Sequence, residues 1–155
     1  MAASCYYASK LVLRVVQAVL ALVAFAGAAW LQTKGFREPP INFMVFVGVT
    51  GWLISMLYAV VSCVEGLQRV LWGIVEAGLN ALWVLFWMAG GAAFAADGRC
   101  KPSQLSLDTP FTECNAFLAS EAFAWMSFLL WVPSLALAVV DWRRGEGLGQ
   151  SGNRF

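Results

Sequence analysis

Four long apolar runs, separated by polar stretches, dominate the chain. They cover residues 11–31, 41–64, 70–96 and 115–141. A helix needs about 20 residues to cross the roughly 30 Å hydrocarbon core of a bilayer, so each run is long enough to be a transmembrane span. The pattern therefore predicts an all-α membrane protein, a four-transmembrane-helix antiparallel bundle.

The polar stretches define the domain organisation. Only residues 65–69 separate the second run from the third, and so short a turn makes these two spans antiparallel neighbours. A signal peptide cleaved near Ala26–Ala28 is the alternative for the first run, which we interpret as a retained span. We assign residues 1–144 to one four-span transmembrane domain and the Gly-rich residues 145–155 to a flexible cytoplasmic tail.

The distribution of basic residues predicts the orientation. Four spans place both termini on one side of the membrane, and basic residues are enriched in cytoplasmic segments. The terminal side holds more of them than the opposite side: Lys10, Arg14, Arg69, Arg143, Arg144 and Arg154 against Lys34, Arg37, Arg99 and Lys101. We therefore expect cytoplasmic termini and an extracellular or lumenal loop between the third and fourth spans.

That loop carries Cys100 and Cys114. Disulfides persist on the oxidising side of a membrane, so we expect the two cysteines to be linked. Closing a loop of this size contributes roughly 3 kcal/mol through the entropy of the unfolded chain. Cys5 lies near the predicted cytoplasmic face, where it is a candidate palmitoylation site or a plain small residue.

Ionisable and amide side chains inside the spans are costly in lipid and usually face the bundle interior. Arg14 and Glu76 differ in predicted depth by only about 4–5 Å, so we expect them to pair. The pair either braces the bundle or forms a step in an ion path. Asn80 shares a helical stripe with Glu76. Glu121 and Asn42 have similar depths near the other face, where they either pair or stay hydrated.

The deep tryptophans and the small residues of the spans are open to two interpretations. They pack inside the bundle, or they contact a sterol, a lipid chain or a neighbouring subunit. Small residues let helices approach closely, within a protomer as readily as between protomers. The candidate lipid or partner contacts are Trp83, Trp87, Trp125, Trp131, Gly48 and Gly51.

Composition excludes several classes of function. Hydrophobic residues make up 61% of the chain, and the net charge of +1 lacks the basic surface that nucleic acid requires. The chain contains no histidine, which removes histidine bases, histidine-ligated metals and Ser/His or Cys/His nucleophile pairs. We therefore expect no enzyme activity and no cofactor, apart from bound lipids or sterols.

An arginine early in the first span, an acidic residue in the third, and a set of residues in the second to fourth spans and their loop form a recognisable pattern. Besides Arg14, the residues that carry it are Ile41, Asn42, Phe43, Phe46, Tyr58, Glu76, Leu79, Asn80, Ala89, Gly90, Cys100, Cys114, Ala122, Phe123, Phe128 and Ser134. In these residues the chain resembles the MARVEL superfamily, and within it the fungal non-classical export protein branch, which more often has aspartate at the position of Glu76. The resemblance implies a non-enzymatic organiser of plasma-membrane domains, associated with sphingolipid-responsive, furrow-like eisosome compartments.

Two hypotheses follow. In the first, the protein is a plasma-membrane scaffold that associates laterally with itself, with sphingolipid or sterol, or with an integral membrane partner. In the second, it is a small channel or transporter, or an accessory subunit of a larger transport complex. Polar residues inside the spans are few and can pair with each other, which favours the scaffold.

Overall fold

The computed structural model describes residues 2–63, 73–97, 100 and 111–143, with side chains described at positions 8–61, 74–97, 100 and 112–143. These residues form four helices: α1 (Ala2–Thr33), α2 (Pro39–Cys63), α3 (Gly73–Asp97) and α4 (Phe111–Arg143). All four are long and apolar enough to cross a membrane, which confirms the predicted all-α, four-span fold class. The predicted 65–69 turn and the 145–155 tail lie outside the described residues.

A Schellman motif ends α1 and turns the chain into α2. Gly35 has φ +95°, a left-handed conformation that glycine adopts without a steric penalty. The N–H of Phe36 donates to Leu31 O at 3.2 Å, and the N–H of Gly35 donates to Gln32 O at 3.1 Å, which is the hydrogen-bond pair of this motif. Pro39 then begins α2, where its missing N–H is not needed.

Each helix buries one stripe of residues spaced alternately three and four positions apart. This is the spacing of coiled-coil packing, in which one seam of each helix faces its neighbours. The stripes are Arg14, Gln17, Ala21, Ala24, Ala28 and Leu31 on α1; Ile41, Met44, Gly48, Gly51, Ser55 and Tyr58 on α2; Asn80, Trp83, Trp87, Gly90 and Phe94 on α3; and Phe117, Ser120, Ala124, Ser127, Trp131, Ser134 and Ala138 on α4.

The helices surround a common core in the order α1, α2, α3, α4. Contacts between α1 and α2, between α3 and α4 and between α1 and α4 are extensive, whereas α2 and α3 are in contact at fewer positions. Alanines on the α1 stripe and large aromatic residues on the α3 stripe belong to the same core cluster. Gly51 on α2 leaves the space that Trp83 and Trp87 occupy from α3.

Charged and aromatic residues mark the two ends of the membrane-spanning region. Lys10 pairs with Asp141 at the end that carries the termini. Trp30 lies twenty residues further along α1, about 30 Å away, which matches the thickness of the hydrocarbon core. Near that opposite end, the rings of Phe94 and Phe117 stack with centroids 4.5 Å apart, and Cys100 is disulfide-bonded to Cys114.

Candidate functional site: a buried arginine cluster

The polar side chains around Arg14 form a group that we call the arginine cluster. Arg14 lies one turn of α1, about 6 Å, beyond Lys10 towards the membrane interior. Arg14 points into the bundle and only 6% of its surface is exposed. Its Nη1 donates to Gln17 Oε1 at 3.0 Å and to Asn80 Oδ1 at 3.1 Å, and its Nη2 donates to Glu76 Oε1 at 3.2 Å. The guanidinium charge is therefore satisfied by one carboxylate and two amide oxygens.

Aromatic faces hold the same guanidinium from the remaining two helices. Its central carbon lies 4.3 Å from the ring centroid of Tyr58 on α2 and 5.5 Å from that of Trp131 on α4. Cations over aromatic faces gain energy, and more so where water is excluded. Because Glu76 and Asn80 belong to α3, the single side chain of Arg14 interacts with α2, α3 and α4 as well as with its own helix.

Gln17 extends this cluster to α4. Its Nε2 donates to Ser134 Oγ at 2.7 Å and to Leu130 O at 3.1 Å. On α3, Asn80 Nδ2 donates to Glu76 O at 2.7 Å, which orients the Asn80 oxygen towards Arg14. Both amides are fully buried, so these hydrogen bonds avoid the cost of unpaired polar groups in a low-dielectric interior.

A cavity of about 10 Å³ adjoins the cluster on the side of the termini. It is lined by Lys10, Leu13, Arg14, Glu76, Ser134 and Leu137. This volume is about that of one water molecule, and the four polar side chains are enough to hold one. The ion pair between Lys10 and Asp141 lies beside this cavity. Together with the Arg14–Glu76 pair it gives two cations and two carboxylates, so the charges around the cavity balance.

The remaining core between this cluster and the disulfide is filled by large side chains. Trp87, Trp131 and Phe94 are fully buried. Several buried polar atoms there have no hydrogen-bond partner among the described residues: Ser55 Oγ, Ser120 Oγ, Ser127 Oγ and the indole nitrogens of Trp83, Trp87 and Trp131. Serines of this kind are typical of helix–helix contacts in membranes, because their side chains are small.

The cluster links all four helices through one buried side chain. The buried arginine meets one carboxylate and two neutral amides. Among the described residues, no three His, Cys, Asp or Glu side chains are grouped as metal ligands. The arrangement fixes the relative positions of four helices.

The structure brings Arg14, Glu76 and Asn80 together. Several other predicted contacts are absent from it. The prediction of lipid or partner contact is wrong for Trp83, Trp87 and Trp131 in this bundle, because each is at most 6% exposed. It is also wrong for both glycines, which pack inside: Gly48 lies against Phe25, and Gly51 lies against Trp83 and Trp87. Trp125 is half-buried, with its indole over Gly91 and its ring edge-to-face with Phe128.

Of the two alternatives for Asn42 and Glu121, the direct pair does not form. Asn42 instead accepts from Gln32 Nε2 at 2.7 Å and donates to Arg37 O at 3.2 Å, because α1 is its neighbour and α4 lies diagonally across the bundle. Glu121 is half-exposed and has no hydrogen bond or ion pair to the described residues. Asp141, near the end of α4, is paired with Lys10.

The cysteines divide into two groups. Cys100 and Cys114 form the expected disulfide, which joins the end of α3 to the first turn of α4. Cys5 belongs to the helical part of α1, but its side chain lies outside the described residues, so its palmitoylation stays a prediction.

Sequence reasoning did not place Gln17, Tyr58, Ser134 or Trp131 beside Arg14, although Tyr58 and Ser134 are among the residues that carry the family resemblance. A signal for two of them exists. Gln17 lies three positions after Arg14, and Ser120, Ser127 and Ser134 recur every seven residues, which places them on one face of α4. For Tyr58 the family resemblance is the signal, since its contact with Arg14 depends on how α2 packs and no spacing indicates it.

These observations define the class of protein. Four apolar helices, an interhelical polar cluster and a disulfide at one end describe an integral membrane protein built as a four-span bundle. The MARVEL family profile, described as a membrane-associating domain, matches residues 7–137. The chain therefore belongs to the MARVEL family. No curated protein and no solved structure is significantly similar to it.

Proposed function

We propose that the protein is a non-enzymatic organiser of the plasma membrane that associates laterally with lipids, with itself or with an integral membrane partner. Membership of a membrane-associating domain family supports this role. The resemblance to the fungal non-classical export branch adds the narrower expectation of sphingolipid- or sterol-rich, eisosome-type domains. In this proposal the termini are cytoplasmic and the disulfide loop is extracellular.

The observation that carries the proposal is the contact of one buried arginine with all four helices. Arg14 holds Glu76 on α3, Tyr58 on α2 and Trp131 on α4. A bundle braced in this way and filled with tryptophan offers its outer surface, rather than its interior, for binding. We infer that the lateral, lipid-facing surface is the functional one.

The lipid-facing surface is apolar on every helix. Representative exposed residues are Leu22 on α1, Leu53 on α2, Leu85 on α3 and Leu129 on α4. Apolar surface alone gains little by leaving lipid, so association should depend on shape and on the polar groups near the bundle ends. This reasoning favours selective contacts at a few places over indiscriminate clustering.

Photo-crosslinking in native membranes tests the proposal. A photoreactive amino acid placed at each of these four exposed positions, one at a time, should yield a crosslinked dimer or a defined complex from at least one position. The same residue at Trp87, which is fully buried, should yield none. Absence of crosslinks from all four positions, together with ion conduction by the purified protein in planar bilayers, would favour the transport hypothesis instead.

A further inference from the structure

A carboxylate without a partner lies on α4, near the disulfide-bonded end of the bundle. Glu121 is half-exposed and forms no hydrogen bond or ion pair within the part of the chain that the structure describes. Trp125, one turn further along α4, has its indole over Gly91 of α3, so Glu121 lies on the α3 side of α4. An ionisable group within a span is costly unless it is paired or hydrated, which makes Glu121 a contact for a cation.

A complementary cation lies on the other side of α4. Lys34 is exposed and has no ion pair to the described residues, and its ammonium lies 5.2 Å from the centroid of the Trp30 ring. Trp30 follows Val12 by eighteen residues, about five turns, so both side chains leave α1 in the same direction. Val12 lines a groove together with Leu130 of α4, so Trp30 and Lys34 lie on the α1 side of α4.

The two charges have similar depths in the membrane. Gly27 of α1 packs against Ser120 of α4, so Glu121 lies close to the level of Gly27, and Trp30 is about 4.5 Å nearer the disulfide-bonded end. Side chains tilt towards the N-terminus of their helix, so the Glu121 carboxylate tilts towards that end and the Trp30 ring tilts back towards Gly27. The carboxylate and the ammonium beside Trp30 therefore lie within about 5 Å of each other along the membrane normal.

The face of α4 between the two charges is open to lipid. Near the level of Glu121 its side chains are alanines, which let a second helix approach closely. We call this surface the outer face of α4, and it consists of the exposed residues Leu118, Ala119, Ala122, Met126 and Leu129. Close packing and polar groups beside it are the two features on which helix association in membranes depends.

A second copy of the chain supplies a partner for both charges at once. Copies inserted in the same orientation carry these charges at the same depth. When two outer faces of α4 meet around a two-fold axis along the membrane normal, the α3 side of each α4 lies opposite the α1 side of the other. Glu121 of each copy then faces Lys34 of the other, which gives two equivalent ion pairs, as the symmetry of a two-fold dimer requires.

We propose that the protein forms a two-fold dimer through the outer face of α4, with Glu121 of each copy paired to Lys34 of the other. This inference rests on the proposed function, because it names the partner and the surface of lateral self-association. Charge complementarity favours a second copy over a lipid, since one face carries opposite charges on its two sides and only a copy of the same face matches both.

Disulfide crosslinking in native membranes tests the position of the contact. In the full chain with Cys5 and Cys63 replaced by serine, Ala122→Cys should form a crosslinked dimer under mild oxidation. The two-fold axis brings the two cysteines together at the centre of the contact, within the short distance that a disulfide spans. A photoreactive amino acid at Leu129, which leaves every charge in place, should also yield a dimer and provides a second measurement if a cysteine variant does not insert.

Phe46→Cys, in the same background, is the matched control. Phe46 is 51% exposed on α2, which lies diagonally across the bundle from α4. Its depth is similar, because Gly48 of α2 packs against Phe25, two residues from Gly27. We expect at least about tenfold less dimer from this position than from Ala122→Cys, a difference of about 1.4 kcal/mol.

Charge reversal tests the ion pairs. Glu121→Lys and Lys34→Glu should each lower the crosslinking of Ala122→Cys about tenfold, because like charges would then face each other at two places. Co-expression of these two variants with different tags should restore a mixed dimer, since each meets opposite charges in the other. The chain that carries both reversals should dimerise with itself, and a merely misfolded chain would show neither recovery.

Four outcomes would overturn the proposal. They are the absence of a dimer from both Ala122→Cys and Leu129, equal crosslinking from Ala122→Cys and Phe46→Cys, charge reversal without effect, and crosslinks from the outer face of α4 to a lipid or to a different protein alone. If crosslinks from Leu22, Leu53 or Leu85 persist in any of these cases, the α4 dimer is refuted and the proposed function stands.

Discussion

Replacement of Arg14 by leucine should destabilise the bundle more than any other single change in the arginine cluster. The substitution removes the donor for Glu76, Asn80 and Gln17 at once. Each buried acceptor left unsatisfied costs about 1–3 kcal/mol, and breaking a buried ion pair costs about 3–5 kcal/mol. We expect Arg14→Leu to lower the free energy of unfolding by about 3–5 kcal/mol.

Glu76→Leu should be milder. Arg14 would keep two amide acceptors and the aromatic faces of Tyr58 and Trp131. The Glu76 side chain is also 22% exposed, against 7% for Arg14, so less of its interaction energy is gained in a dry environment. We expect Glu76→Leu to cost about 3 kcal/mol, the lower end of the range for breaking a buried ion pair, because Arg14 keeps its amide and aromatic contacts.

The two single substitutions and the double substitution form a thermodynamic cycle. The double variant should be less destabilised than the sum of the singles, with a coupling energy of about 1–2 kcal/mol, the upper part of the range for interhelical hydrogen bonds in membranes. Reversible unfolding in mixed detergent–lipid micelles, followed by circular dichroism, measures each free energy. Arg14→Lys is the control, since it keeps the charge and loses the planar donors, and its cost should be intermediate. Strict additivity, or a Glu76→Leu cost equal to that of Arg14→Leu, would refute this reasoning.

Three further predictions concern packing, the disulfide and orientation. Gly51→Ala should destabilise the protein by about 1–3 kcal/mol, because the added Cβ would lie 3.1 Å from Trp83 Nε1 and 3.2 Å from Trp87 Cζ2. Gly78→Ala, where nothing lies within 4 Å, should be neutral or stabilising by up to about 1 kcal/mol in the same unfolding assay. Replacing Cys100 and Cys114 by serine should cost about 3 kcal/mol, and non-reducing peptide mapping of the wild type should recover the two as a linked pair; free thiols at both positions would contradict this. In sealed vesicles, a membrane-impermeant reagent should label Lys34 from the extracellular side and a tag at either terminus from the cytoplasmic side, and the reverse pattern would refute the orientation.

The helices themselves follow from the sequence. Runs of apolar residues that match the thickness of a bilayer must become helices, because a backbone in lipid has to satisfy its own hydrogen bonds. Charges inside such runs are rare and costly, so the depths of Arg14 and Glu76 were enough to predict that they would lie close together. Loop position likewise indicated the pairing of Cys100 with Cys114.

The inward face of each helix was decided by the tertiary structure. In a water-soluble bundle, polar residues mark the outer face, whereas here Leu57 and Leu85 on the outside are as apolar as Ala24 and Val47 on the inside. A helix that is apolar all round carries no amphipathic signal, so the tryptophans could be placed inside or outside with equal justification. Packing resolves this choice by size, because Gly51 on α2 leaves space for Trp83 and Trp87.

The partners of Arg14 also required the three-dimensional arrangement. Depth along the membrane normal predicts which residues lie at the same level, which we call a layer. It does not predict which residues of a layer are in contact, because that depends on which helices are adjacent. Asn42 illustrates the limit: Glu121 was expected at a similar depth but lies on the diagonal helix, and Gln32 on the adjacent helix is the residue that binds Asn42. The sequence by itself determined the layers of this protein, and only the order of packing of the four helices determined the contacts within each layer.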